Sequence, residues 1–130
     1  MSFNREAVAA YFRPGGAMEQ HIKQYRRRDE QVKMAEAVAD AFANREFLVA
    51  EVGTGVGKSF AYLVPAILWT LESGEKVVVS TRTRALQEQL TEHDIPDLKY
   101  ILGSGYSVAE AKGRENYLCW NQYMSILAGK

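Results

Sequence analysis

Cysteine is nearly missing from this chain of 130 residues, and Cys119 stands alone. A lone cysteine closes no intrachain disulfide and cannot complete a four-cysteine metal site by itself. A charge of one sign is missing too, since 16 basic residues balance 16 acidic ones to zero net charge. That balance excludes a global field for nucleic acid, so any such surface has to be a local patch. No apolar run reaches the length of a membrane span, and the N-terminus lacks the apolar core of a signal peptide. A cytoplasmic location without membrane contact is the expectation. His21 and His93 are isolated and read as surface or capping residues rather than as ligands or acid-base groups. There is no internal repeat and no low-complexity tract.

What remains is an ordinary globular composition, 47% hydrophobic and 25% charged, of about one domain. Residues 4–12 read as a short helix carrying Val8 and Phe12, closed by Pro14, Gly15 and Gly16. A second helix is expected over 17–24. A third is expected over 28–43, with Val32, Ala35, Ala39 and Phe42 on one face and Asn44 as its stop. The basic run Tyr25-Arg26-Arg27-Arg28 precedes Asp29, Glu30 and Gln31. By pattern alone it is a solvated helix start whose acids complement the helix dipole, and charge by itself carries no functional reading.

The informative stretch is Glu51-Val-Gly-Thr-Gly-Val-Gly-Lys-Ser59. Before it, residues 47–52 form a β-favouring apolar run. After it Phe60, Leu63, Val64, Ile67, Leu68 and Leu71 recur at helical spacing. Strand, glycine loop and helix in that order describe a phosphate-binding loop. Gly53, Gly55 and Gly57 open backbone conformations closed to other residues and let N–H groups approach an anion at the positive end of the helix. Thr54 and Val56 lie between them. Lys58 would reach the β- and γ-phosphates, and Ser59 would set its hydroxyl on Mg²⁺. The strict G-x-x-x-x-G-K-S/T pattern has its first glycine where this chain has Val52, so a plain glycine-rich turn is the alternative.

Downstream, Pro65 interrupts the helical pattern and should bend it. Residues 77–81 are a continuous β-branched run suited to a buried parallel strand beside 47–52, which completes a βαβ unit. Thr81-Arg82-Thr83-Arg84 then enters a helix expected over 85–91. The cluster falls at a strand end, where ligands bind in open parallel sheets, and Thr83 reads equally as a helix cap. Residues 94–97 read as a loop around Pro96, and 99–102 as another short strand before Gly103. A helix-like apolar pattern with Tyr123, Met124 and Leu127 ends the chain.

Four motifs in order, Tyr25-x-x-Arg28-x-x-Gln31-x-x-Met34, the glycine loop, Thr81-Arg-Thr-Arg-Ala-Leu-Gln-Glu-Gln-Leu90 and Lys112-Gly-Arg-Glu-Asn-Tyr-Leu-Cys119, resemble the DinG branch of the DinG/XPD helicases. The resemblance implies an ATP-driven, 5′ to 3′ DNA helicase with a RecA-like P-loop fold, a parallel sheet flanked by helices. This chain would be the incomplete front of its first lobe. It implies a helical preface over 1–24, a nucleotide-binding core over 25–111 and the start of an iron–sulfur insertion over 112–130. Gln31 would recognise adenine, flanked by Arg28 and Tyr25. Thr81, Arg82 and Thr83 would hold the backbone of single-stranded DNA, and Arg114 would lie near both the DNA and a 4Fe-4S cluster whose first ligand is Cys119. ATP and Mg²⁺ are the implied cofactors. Three further cysteines, an acidic Mg²⁺ box and a second lobe belong to the family pattern but not to these residues, so a truncated, inactive piece is expected. A stand-alone nucleotide-binding regulatory module is the alternative. The oligomeric state is not legible.

Overall fold

The computed structural model describes residues 3–23 and 25–129; Gln24, the expected end of the second helix, lies outside them. Helix α1 (Arg5–Tyr11) starts at Asn4, whose Oδ1 accepts the Ala7 N–H at 2.8 Å. It buries Val8 and Ala9, and Phe12 follows it into the core. A short α2 (Ala17–His21) contributes Met18. Helix α3 (Asp29–Asn44) carries Asp29 and Glu30 in its first turn, where negative charge meets the positive end of the dipole. It runs through Asn44 and stops at Arg45, which takes the left-handed conformation at φ 57°. The Arg45 and Glu46 N–H groups return to the Phe42 and Ala41 carbonyls at 3.3 and 3.0 Å.

Helix α4 (Lys58–Ser73) holds Pro65 in its buried interior and closes on Gly74 at φ 71°. It packs along α3, with α1 lying across that pair. Ala35, Ala39 and Ala61 are all fully buried, and side chains this small let two helix axes approach closely. Phe12, Met18, Val8 and Val64 fill the space around them. Burial of Phe12 and of Met18 contributes about 1.5–3 kcal/mol each. At the rim Phe42 stacks on Trp69 at 5.7 Å, and the Trp69 indole N–H donates to Glu75 at 3.1 Å.

The expected parallel sheet is absent: among the described residues no strand forms, and the arrangement is helical throughout. Residues 47–52 and 77–81 are irregular and carry no ladder hydrogen bonds. Phe47 is 105%, Val49 99% and Val78 90% exposed, so these apolar runs are not the buried strands their composition predicts. The physical reason is that a strand exists only through a partner. These two runs do not pair, and most of their residues lie exposed at the surface. Instead, residues 77–82 border an open groove beside Val38, Phe42, Tyr62, Ala66 and Leu86.

A second correction falls after α5 (Arg84–Gln89). The loop expected over 94–97 and the strand over 99–102 are both helical. A π-helical turn, Leu90–Asp94, leads straight into α6 (Ile95–Leu102). Pro96 sits in the first turn of α6, where its missing N–H has no intrahelical partner to lose. Leu90 and Leu98 reach the core from this segment, and α6 also packs on α2. Beyond a 3₁₀ turn, Arg114–Asn116, the final helix α7 (Trp120–Leu127) leaves Trp120, Ile126 and Leu127 exposed.

Candidate functional site

The glycine loop enters α4 through two left-handed residues, Gly55 at φ 74° and Gly57 at φ 82°. A side chain is strained at either position, and at Gly57 it would also collide with the Gln31 amide. Gln31 is 2% exposed and spends its amide on the loop. Its Nε2 donates to the Gly57 carbonyl at 2.9 Å, while its Oε1 accepts the Tyr25 hydroxyl at 2.8 Å. Burial pushes the Tyr25 phenol above its ordinary range. Arg28 flanks the loop from the same side, its Nη1 3.9 Å from where a methyl on Gly55 would stand. Folding thus brings Tyr25, Arg28 and Gln31 onto the phosphate-loop candidate across more than twenty residues of sequence.

Gly53, Thr54 and the Lys58 side chain are exposed, while Val56 and Ser59 are half-buried. Lys58 is the first residue of α4, whose N-terminus has no side-chain cap. A 16-residue helix therefore presents its positive end and free N–H groups beside a lysine ammonium and a serine hydroxyl. That donor set fits a polyphosphate, and the hydroxyl oxygen suits a hard cation such as Mg²⁺.

The second candidate cluster surrounds the start of α5. Thr83 caps it, Oγ1 accepting the Leu86 N–H at 3.2 Å, and the Thr81 hydroxyl donates to the Thr83 carbonyl at 3.4 Å. Arg82 is exposed. The segment with Arg114 docks on the same helix: Gln87 donates to the Ala111 carbonyl at 2.9 Å, and Arg84 pairs with Glu115 at 3.6 Å. Residues 81–83 and Arg114 thereby belong to adjoining segments. Cys119, exposed at the start of α7, is the chain's sole cysteine. An iron–sulfur cluster of the implied type takes four thiolates, so the residues present do not fit that group. Among the described residues no three His, Cys, Asp or Glu side chains gather into a metal site, and no helix is long and apolar enough to cross a membrane.

Sequence reasoning missed the burial of Asp94. Asp94 is 7% exposed at the end of the π turn, where Gln89 Nε2 donates to its Oδ2 at 3.4 Å. Burial raises the Asp94 carboxyl above the usual carboxylate range, opposed by the hydrogen bond from Gln89. The available signal was the spacing of Leu86, Leu90 and Leu98, which continues a helical face through Pro96.

Comparison with known proteins adds family to geometry. A profile described as DEAD/DEAH box helicase matches residues 28–118. The ATP-dependent DNA helicase YoaA of Haemophilus influenzae is 42% identical over 121 residues, 93% of this chain and 18% of that protein. The ATP-dependent helicase DinG of Mycobacterium tuberculosis is 52% identical over 100 residues, 74% of this chain and 15% of that protein. The 3′-5′ exonuclease DinG of Bacillus subtilis is 36% identical over 111 residues, 85% of this chain and 12% of that protein. The chain thus spans less than a fifth of the length of these relatives. No solved structure matches it.

Proposed function

The chain belongs to the DEAD/DEAH box helicase family, and from that membership we propose that it is the ATP-binding portion of a DinG-type, ATP-dependent DNA helicase. The observation that carries this reading is the hydrogen bond from the buried Gln31 to the Gly57 carbonyl, which joins an amide able to read a base to a loop able to hold phosphates. In this reading the N–H groups around Gly53, Thr54, Gly55, Val56 and Gly57 hold the phosphates, and Lys58 neutralises their charge. Ser59 supplies an oxygen to Mg²⁺. Mg²⁺ held there would supply positive charge against that of the phosphates.

Gln31, flanked by Arg28 and Tyr25, faces the adenine. A side-chain amide both donates and accepts, which matches adenine's edge and mismatches guanine's reversed pattern. To reach the base it exchanges its contacts with Tyr25 and Gly57, so nucleotide binding resets the loop and residues 25–31 together. Thr81, Arg82, Thr83 and Arg114 form the proposed contact to single-stranded DNA, holding phosphates without reading sequence.

Calorimetric titration with ADP and GDP in Mg²⁺ tests the nucleotide reading. ADP should bind more tightly, and Gln31→Ala should erode the preference. Equal binding of ADP and GDP by the unaltered chain would remove the adenine role, and no binding of either would remove the phosphate loop.

A further inference from the structure

The two segments of the proposed DNA contact meet at an ion pair to which the function above gives no duty. Arg84 follows Thr83 directly, and its Nη2 lies 3.6 Å from Oε1 of Glu115, the residue after Arg114. The Asn116 amide donates to the same carboxylate oxygen at 3.4 Å and to the Gly113 carbonyl at 3.0 Å. That carboxylate lies so close over Gly113 that a methyl there would collide with it. Glu115 is thus folded back over its own turn and faces Arg84. A neutral contact, Gln87 to the Ala111 carbonyl at 2.9 Å, holds the same segment to α5 independently of the charges. The Arg84 and Glu115 side chains are 66% and 68% exposed, and a pair so exposed adds little to folding. It is therefore cheap to open. A phosphodiester offers a guanidinium what the carboxylate offers it, anionic oxygens for its planar fork of N–H donors.

We propose that Glu115 is an internal stand-in for a nucleic-acid phosphate: it holds Arg84 in the free protein, and a backbone phosphate of single-stranded DNA takes its place, which makes Arg84 a further DNA contact. The exchange swaps one anion for another on the same guanidinium. Its cost is the energy of the ion pair, so Glu115 lowers affinity for DNA without changing how many phosphates the protein holds. Because the pair ties the turn Arg114–Asn116 to α5, opening it also frees Arg114 to follow the strand. The inference rests on the DNA-contact reading of residues 81–83 and Arg114.

Fluorescence anisotropy of a labelled oligothymidylate, titrated with the chain over a series of salt concentrations, tests this. Arg84→Gln should weaken binding and make the slope of log K against log salt shallower by about 0.7, the loss of one phosphate contact to a single strand. Glu115→Gln should instead tighten binding by about two- to fivefold, the worth of an exposed ion pair, and leave the slope unaltered. Beside Arg84→Gln, the same Glu115→Gln change should lose most of that gain. Glu88→Gln is the control for charge alone, since Glu88 is exposed on α5 and forms no ion pair with a described cation. It should give a smaller gain than Glu115→Gln. All three side chains are exposed, so thermal midpoints should stay close to that of the unaltered chain. Unchanged affinity and slope in Arg84→Gln, a Glu115→Gln gain that persists in full beside Arg84→Gln, or an equal gain from Glu88→Gln overturns the proposal. Failure of the unaltered chain to bind the oligothymidylate overturns the DNA-contact reading instead, and this inference with it.

Discussion

Lys58 and Gly57 are neighbours with different duties. The Lys58 side chain is exposed and forms no ion pair with a described carboxylate, so it contributes little to the fold and is free for a ligand. Lys58→Ala should weaken ADP binding by about 1.5–3 kcal/mol, the range for a hydrogen bond to a charged group, with the thermal midpoint nearly unchanged. Unchanged affinity by calorimetry would leave the loop without its proposed cation. Gly57 serves conformation instead. Both Gly55→Ala and Gly57→Ala force a side chain into left-handed backbone, costing roughly 1–2 kcal/mol each. Only at Gly57 does the new methyl also displace the Gln31 amide. Urea unfolding should therefore find Gly57→Ala the more damaging of the two, and equal losses would mean that the Gln31–Gly57 contact contributes nothing in solution.

At the scale of elements, two positions separate capping from packing. Thr83 holds the first turn of α5 through one side-chain acceptor. Thr83→Ala should cost about 1 kcal/mol, whereas Thr83→Ser keeps the acceptor and most of the stability. Matching losses in both variants, read from chemical denaturation, would remove the cap. The α3–α4 contact depends on smallness. Ala39 is fully buried there, so Ala39→Leu should destabilise the chain by about 1–3 kcal/mol through overpacking. A variant as stable as the original would show that the two helices are less closely packed than described.

Taken whole, the molecule shows apolar surface on the unpaired runs at Phe47, Val49 and Val78, on α7 at Trp120, Ile126 and Leu127, and at Tyr100 and Leu118 among others. Exposed apolar patches of this kind favour association. Sedimentation velocity should find a mass that rises with concentration, and Phe47→Ser with Val49→Ser should reduce that rise. Because both side chains are exposed, the same pair should leave the unfolding midpoint nearly unchanged. A strictly monomeric chain at all concentrations would show that these surfaces do not self-associate.

Local chemistry made much of this protein readable from its residues. The glycines with Lys58 and Ser59 at a helix start, the apolar stripes of α3 and α4, the cap at Thr83 and the motif order that pointed to the helicase family all depend on near neighbours along the chain. Pro96 misled because the residue that breaks a helix interior is also accepted in a first turn. The rest required partners distant in sequence. Residues 47–52 and 77–81 have strand composition, but pairing is non-local, and in the folded chain they find no ladder. Nor does composition tell which polar residues will be buried. Gln31 joined the site, and Asp94 was buried, only when α3 and the π turn closed against the loop and α4, since burial and hydrogen-bond partners are properties of packing and not of sequence neighbours.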